Sequence, residues 1–208
     1  ENNVNNNWYT NYLAAWCLRY AASLVERFQG DVAQEECDAW MQIAEGMSLP
    51  QKEGSAVRLQ QDGFLDKDLM PAEALPEAHR PINQVWSWDR ILRSCFIKQA
   101  DVLQGFYFFP DDFSHDELRD NFDFYEPMTV HESSLSPCVH GILASRLGRS
   151  DKALEMYLRT SRLDLDDYNA EAYQGLHITS MAGTWMCVVE GFGGFRVVDG
   201  VPTFATTL

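Results

Sequence analysis

Apolar residues recur every three or four positions through most of the chain, which is the spacing of amphipathic helices. Capping residues and glycines divide this pattern into successive segments and suggest helices arranged in pairs. The predicted helices are residues 8–29, closed by Gly30; 31 to about 44, N-capped by Asp31; 89–109; 114–122, N-capped by Ser114; 137–147, closed by Gly148; a segment from Asp151 onward; and 181–190. The last of these is apolar nearly all round, so it is predicted to be a fully buried helix.

Two parts of the chain depart from the helical pattern. Residues 46–88 are rich in proline, glycine and charge, and their large aromatic side chains predict one long, ordered loop. After the glycines of 191–194, the apolar stretches 195–198 and 201–204 flank the dipeptide Asp199-Gly200, which predicts a β-hairpin. The predicted fold class is therefore mainly α, with helix pairs that fit part of an α/α barrel, followed by the start of a C-terminal β-sheet domain.

Composition narrows the function classes. The 208 residues are 46% apolar, enough for a sizeable core, and carry a formal net charge of −15. With no lysine or arginine cluster, this charge argues against binding to nucleic acid or to an anionic membrane. No apolar run approaches ~18 residues and no signal-peptide pattern is found, so a cytoplasmic location is expected. The five cysteines lack metal-type spacing, which predicts reduced, buried thiols and no metal site.

Two segments combine hydroxyl groups and histidine at a predicted helix start. The first is 131–136, with His131, Ser133 and Ser134; the second is 177–184, with His177, Thr179 and Ser180. A helix start presents unpaired N–H groups and the positive end of the helix dipole, which favours an anion such as phosphate. The alternative is that the hydroxyls only cap helices and the histidines are structural. A serine hydrolase is not favoured, because no GxSxG motif accompanies these serines.

Three other polar residues are candidates for binding a sugar. Lys98 and Gln99 lie among apolar neighbours in a predicted helix, so they either point into a polar pocket or lie on a solvated face. Glu126 follows several aromatic residues and suits either a sugar hydroxyl or acid–base chemistry, with an ordinary loop glutamate as the alternative. The acidic run 164–167 lacks the glycine and spacing of an EF-hand and predicts a helix end and turn.

At these residues the chain resembles glycoside hydrolase family 65, and within it the phosphorylases that act on maltose. The matching stretches cover nearly the whole chain: 5–11 (NNNWYTN), 80–84 (RPINQ), 86–94 (WSWDRILRS), 97–103 (IKQADVL), 129–137 (TVHESSLSP), 175–185 (GLHITSMAGTW) and 191–197 (GFGGFRV).

The resemblance implies an (α/α)6 barrel over 1–191 and the start of a β domain over 192–208, within an enzyme about three times this length. Such an enzyme breaks an α-glucoside with inversion, with inorganic phosphate as co-substrate and no cofactor. The family's catalytic acid is a glutamate expected just upstream of Glu1, so no catalytic residue is expected in this chain. Lys98 and Gln99 would bind the transferred glucose, and Glu126 the leaving sugar. Phosphate would be surrounded by the hydroxyl and imidazole groups of the two helix starts: His131, Ser133, Ser134, His177, Thr179 and Ser180.

Several alternatives remain open at this stage. The accepted sugar could be kojibiose, nigerose or trehalose instead of maltose, and a family hydrolase would carry a carboxylate base where this chain has hydroxyls. A non-catalytic sugar- or anion-binding protein is the alternative outside the enzymes. Because the chain begins without methionine and ends soon after a strand, it is expected to be a piece of a larger protein. The resemblance implies that this larger protein is a homodimer and that the chain alone, without its catalytic acid, is inactive.

Overall fold

The computed structural model describes residues 4–28 and 31–207, apart from the side chain of Glu26. The chain divides into two compact units, Glu1–Asp66 and Lys67–Leu208. In the first unit, α1 (Trp8–Phe28) packs against α2 (Gln34–Glu45). The segment 46–66 returns to the start of α1, where the Trp8 N–H donates to the Gln60 carbonyl at 2.9 Å.

The second unit contains most of the helices. They are α3 (Ile82–Val85), α4 (Trp88–Arg93), α5 (Val102–Phe108), α6 (His115–Tyr125), α7 (Ser136–Arg146), α8 (Ser150–Ser161) and α9 (Ile178–Met186), and a π-helical stretch, Cys187–Phe192, continues α9. Short 3₁₀ turns occur at Phe64–Asp66 in the first unit, and at Ala72–Ala74, Glu77–His79, Glu126–Met128 and Ala172–Gln174 in the second. The centre of this unit is α7, which is buried from Ser136 to Ser145 and packs against α5, α8 and α9.

The predicted hairpin is confirmed. Strands β1 (Arg196–Val198) and β2 (Val201–Thr203) are antiparallel, with Arg196 opposite Thr203. Asp199 and Gly200 connect them with φ values of 52° and 78°. Positive φ at both central residues is the requirement of the type I′ turn, which Asp-Gly meets at low cost.

The predicted cap at Ser114 is also confirmed. Its hydroxyl accepts a hydrogen bond from the Glu117 N–H, and the Glu117 carboxylate accepts one from the Ser114 N–H, which together form a capping box. The helix runs on to Tyr125, beyond the predicted end at 122. Asp31 is wrong as a cap, because Ala33 is the N-cap residue of α2 and makes no side-chain bond. The predicted end of the first helix, at Gly30, lies outside the described residues.

The predicted helix over 89–109 is wrong. It is divided into α4 and α5 by an extended segment, in which Ile97 forms a parallel bridge with Thr129. The Ile97 N–H donates to the Met128 carbonyl at 3.0 Å, and the Val130 N–H donates to the Ile97 carbonyl at 2.9 Å. This long-range pairing replaces helical hydrogen bonds that the local pattern alone would favour.

The prediction that 181–190 is fully buried is also wrong. Only one face, formed by Ser180, Gly183, Cys187 and Gly191, is buried. The opposite face leaves Trp185 62% exposed and Met181 49% exposed. The cysteine prediction needs a smaller correction, since Cys17 is exposed while the other four thiols are buried, and all five are unpaired.

The contact between α7 and α9 leads to a stability prediction. A Cβ added at Gly183 would lie 2.7 Å from the Cβ of Cys138 and 3.2 Å from Cγ2 of Thr160. We expect Gly183→Ala to lower the free energy of unfolding by about 2 kcal/mol, because overpacking outweighs the gain in helix propensity. Gly191→Ala is the control, since its Cβ would meet Ile142 at an ordinary 3.6 Å. Urea unfolding of both variants checks this, and equal stability of the two would contradict it.

Candidate functional site

The two predicted helix starts meet at the beginning of α7. The Ser134 and Thr179 hydroxyl oxygens are 2.7 Å apart, although the residues are 45 positions apart in the chain. Ser134 is half-buried and Thr179 is exposed, so both hydroxyls remain accessible from one side. The pairing of the two segments, which local sequence could only suggest, is therefore present in the fold.

Lys98 and Gln99 lie alongside the first of these segments. Because Ile97 and Thr129 pair in parallel, the residues that follow Ile97 run in the same direction as those that follow Thr129. Lys98 is half-buried and Gln99 is exposed. The charge of Lys98 acts on the carboxyl of Glu132, which supports its position beside the 131–134 segment.

Glu126 begins a 3₁₀ turn at the end of α6, and its side chain is 17% exposed. One carboxylate oxygen lies 2.9 Å from the Lys152 ammonium of α8. The same oxygen lies 4.0 Å from Nε2 of His131. The Glu126 carboxylate is thus held at the edge of the site by the ammonium group of the neighbouring helix.

His131 is buried and lies in the left-handed region with a φ of 53°. Its Nδ1 is 2.9 Å from the Ser136 hydroxyl at the first turn of α7. Burial, followed by the nearby His140, Arg159 and Lys152, lowers the pKa of His131 well below its usual value. The ring is therefore neutral near pH 7 and offers a dipole to an anion instead of a positive charge.

The remaining hydroxyls of the two segments have different surroundings. Ser133 is 8% exposed, and its Oγ accepts a hydrogen bond from the Leu135 N–H at 3.2 Å. Ser180 is buried, and its hydroxyl donates to the Thr160 carbonyl at 2.6 Å. Of the predicted hydroxyl residues, Ser134 and Thr179 present the more accessible oxygens.

His177 is the N-cap residue of α9, and Asp164 holds it in place. One carboxylate oxygen of Asp164 accepts the His177 backbone N–H at 2.8 Å, and the other lies 2.5 Å from Nδ1 of the ring. The hydrogen bond from His177 lowers the pKa of Asp164. The Asp164 carboxylate therefore fixes the ring and leaves Nε2 as its other polar atom.

Three further residues at this site are not indicated by the sequence pattern. Asp164 was assigned only to a turn, which is where it lies, and its bond to His177 spans 13 residues. Arg159 of α8 donates to the His131 carbonyl at 3.1 Å. Glu132 is 4% exposed, and its carboxylate accepts the Ile82 N–H at 2.6 Å. No local spacing indicates these partners, which lie 13 to 50 residues away in the chain.

His140, on α7, is fully buried behind His131, with the two ring centroids 4.5 Å apart. Neither ring nitrogen of His140 has a hydrogen-bond partner within the described ranges. Burial and the charge of Lys152 lower its pKa to about 3. Protonation of this ring is thus strongly unfavourable in the folded protein.

This burial predicts a pH dependence of stability. In the unfolded chain His131 and His140 bind protons below about pH 6.5, whereas in the folded chain they bind protons only at lower pH. The stability that depends on these neutral rings is therefore complete above about pH 6.5 and decreases as the pH falls below it. Each histidine contributes a slope of up to about 1.4 kcal/mol per pH unit. We expect His140→Leu to reduce the slope of the unfolding free energy against pH, measured between pH 6 and pH 5, by the contribution of one histidine, about 1.4 kcal/mol per pH unit. Urea unfolding at several pH values measures it, and identical slopes would contradict it.

A separate cavity of about 360 Å³ lies at the other end of α7, around Tyr107, Arg146 and Glu190. It contains none of the predicted site residues.

Within the part of the chain that the structure describes, no group of three or more His, Cys, Asp or Glu side chains is arranged to hold a metal ion. The described part of the chain also contains no helix that is both long enough and apolar enough to cross a membrane.

The site at the start of α7 combines groups suited to two kinds of ligand. The groups suited to an anion are the two helix starts, the Ser134 and Thr179 hydroxyls and the neutral His131 imidazole. Lys98 and Glu126 beside them are suited to the hydroxyl groups of a sugar. The geometry therefore favours a site where an anion and a polyol lie next to each other.

Comparison with known proteins gives consistent matches. The model of the glycosyl hydrolase family 65 central catalytic domain matches residues 1–186. The maltose phosphorylase of Bacillus subtilis (strain 168) is 54% identical over the whole chain, which covers 28% of that protein. The α,α-trehalose phosphorylase of Thermoanaerobacter brockii is 41% identical over 93% of this chain and 27% of its own length.

A solved structure from the human microbiome, provisionally described as a kojibiose phosphorylase, has a TM-score of 0.87 at 33% identity. The match covers 98% of this chain and 28% of the other. It confirms the predicted fold class, mainly α with a small C-terminal sheet, as part of the family's helical barrel domain. The chain spans about 28% of the length of these relatives.

Proposed function

The chain belongs to glycosyl hydrolase family 65, and we propose that the full-length protein is an inverting phosphorylase that converts maltose and inorganic phosphate into β-glucose 1-phosphate and glucose. The observation that carries this proposal is the 2.7 Å contact between the Ser134 and Thr179 hydroxyls, which brings two helix starts together. Paired helix starts of this kind suit an anion. A hydrolase needs a carboxylate base at this place to activate water, whereas a phosphorylase needs donors that hold phosphate.

In this mechanism phosphate attacks the anomeric carbon on the face opposite the leaving glucose. When phosphate binds, the Ser134 and Thr179 hydroxyls give up their mutual hydrogen bond and each donates its single O–H to a phosphate oxygen. The helix dipoles of α7 and α9 stabilise the phosphate charge. His177 binds from the same helix start, while Ser133, Ser180 and His131 line the phosphate region and hold its shape. These donors are needed because the chain's net charge of −15 opposes the approach of an anion.

The sugar is held beside the phosphate. Lys98 and Gln99 bind hydroxyl groups of the transferred glucose, and Glu126 accepts hydrogen bonds from the leaving sugar. The Lys152 ammonium, 2.9 Å from Glu126, keeps that carboxylate in place. The acid that protonates the leaving oxygen is proposed to be a glutamate preceding Glu1, so the 208 residues alone would not turn over.

The choice of maltose rests on similarity. The maltose phosphorylase relative is 54% identical, against 41% for the trehalose phosphorylase. Kojibiose or trehalose is the second candidate, since phosphorylases of both sugars are also relatives of this chain.

The test is a product assay with the full-length protein. Maltose, trehalose, kojibiose and nigerose are supplied separately, each with and without phosphate, and glucose and glucose 1-phosphate are measured. We expect β-glucose 1-phosphate from maltose only when phosphate is present. Release of glucose at the same rate without phosphate would reject the phosphorylase and favour a hydrolase.

A further inference from the structure

Glu132 occupies an unusual position for a carboxylate. It is 4% exposed, and its Oε2 accepts the backbone N–H of Ile82, 50 residues away, at 2.6 Å. The other oxygen, Oε1, is buried and has no hydrogen-bond partner among residues 4–28 and 31–207. Burial raises the pKa of the carboxyl, while the Ile82 N–H and the charges of Arg80, Lys98 and Arg159 lower it. Burial of a carboxyl is costly unless hydrogen bonds compensate it, and the bond that Glu132 makes joins two segments that are distant in the chain.

What Glu132 holds is the segment of residues 131–134, here called the phosphate segment. His131, at its start, has a φ of 53°, a conformation that a non-glycine residue keeps only when its surroundings impose it. Arg159 binds the His131 carbonyl at 3.1 Å from the α8 side. The Glu132 side chain binds Ile82 from the other side. The phosphate segment is thus held between α8 and the start of α3.

The segment around Ile82 is itself anchored. Ile82 is 1% exposed, and the Gln84 side chain donates to the Asn169 carbonyl at 3.3 Å. The Ile82–Glu132 bond therefore connects the phosphate segment to a fixed part of the second unit. Ser134 follows two residues later and meets Thr179 at 2.7 Å.

We propose that Glu132 is a positioning residue for phosphorolysis: through its hydrogen bond to the Ile82 N–H it fixes the phosphate segment, so that Ser134 and Thr179 present their hydroxyls together. Glu132 acts through Ser134 and does not itself bind phosphate, since its negative charge would repel it. The expected effect on kinetics rests on the proposed function. The hydrogen bond and its effect on the backbone are independent of that function.

Two variants of nearly equal size isolate the hydrogen bond. Glu132→Gln removes the charge but retains an oxygen that can accept from Ile82, whereas Glu132→Met removes both the charge and the acceptor. In the full-length protein we expect Glu132→Met to raise the KM for phosphate by about 10-fold or more, as for loss of a buried hydrogen-bond acceptor. Glu132→Gln should stay within about 3-fold of wild type, and the KM for maltose should change less than the KM for phosphate in both.

Glu190→Gln is the matched control. This carboxylate accepts the Tyr107 hydroxyl at 2.8 Å beside the cavity at the other end of α7. Its replacement should alter stability without altering the KM for phosphate. Equal kinetic losses in Glu132→Gln and Glu132→Met would overturn the inference, because charge and not the hydrogen bond would then matter. A Glu132→Met protein with a lower melting temperature but an unchanged KM for phosphate would also overturn it.

Hydrogen exchange separates this inference from the proposed function. Peptides covering 80–86 and 131–136 should exchange faster in Glu132→Met than in Glu132→Gln or wild type, whether or not the protein consumes phosphate. Unchanged exchange in both peptides would reject the positioning role even if the wild-type enzyme proved to be a phosphorylase. Faster exchange in Glu132→Met, combined with a wild-type enzyme whose activity does not depend on phosphate, would reject the proposed function and leave the positioning role intact.

Discussion

Replacing Lys98 with methionine in the full-length protein is expected to lower kcat/KM for maltose by about 100-fold. The substitution keeps the length of the side chain and removes the ammonium group that is proposed to bind the transferred glucose. Loss of a charge-assisted hydrogen bond costs roughly 1.5–3 kcal/mol, and the Glu132 carboxylate would also lose a stabilising charge. Steady-state kinetics with saturating phosphate measures the change.

The control is Arg93→Met, which removes a positive charge from the end of α4. Arg93 is exposed and pairs with Asp89 at 3.0 Å. If Lys98 acts only through the general field of the protein, both variants should lose activity to a similar extent. A Lys98→Met enzyme with nearly wild-type kcat/KM would remove Lys98 from the sugar site.

The second large effect is expected at the junction of the two helix starts. Ser134→Ala and Thr179→Val should each raise the KM for phosphate by about 10- to 100-fold, because each removes a hydroxyl that is proposed to donate to the phosphate dianion. The KM for maltose should change by less than about 3-fold, since the proposed sugar contacts are made by other residues. Initial rates with both substrates varied give the two constants separately.

The double variant tests whether the hydroxyls act as one unit. Because they lie 2.7 Å apart, their effects should be less than multiplicative. Ser161→Ala is the control, since its hydroxyl donates to the Leu158 carbonyl within α8 and its loss should leave the KM for phosphate unchanged. Equal rises in the KM for phosphate and for maltose would mean that Ser134 and Thr179 serve only the local structure.

Features set by neighbouring residues could be predicted from the sequence. The capping box at Ser114 and the turn at Asp199-Gly200 depend on side chains within three positions of each other. The helix starts before α7 and α9 were predicted for the same reason. Their meeting through Ser134 and Thr179 is a tertiary contact, and only the fold brings it about.

The wrong or missed predictions concern features that depend on residues far apart in the chain. The helix over 89–109 is interrupted because Ile97 pairs with residues about 30 positions later, which no local pattern reveals. Trp185 is exposed although its surroundings in the sequence are apolar, because burial depends on what covers a helix face. Asp164 and Glu132 were missed because their partners, His177 and Ile82, are 13 and 50 residues away.

Phosphate, and not water, is proposed to attack the anomeric carbon at the start of α7. The most direct measurement is mass spectrometry of the products formed by the full-length protein from maltose and ¹⁸O-labelled phosphate in ordinary water. We expect β-glucose 1-phosphate that retains every labelled oxygen, including the one bonded to C1. Glucose as the only product, formed equally fast when phosphate is left out, would contradict it.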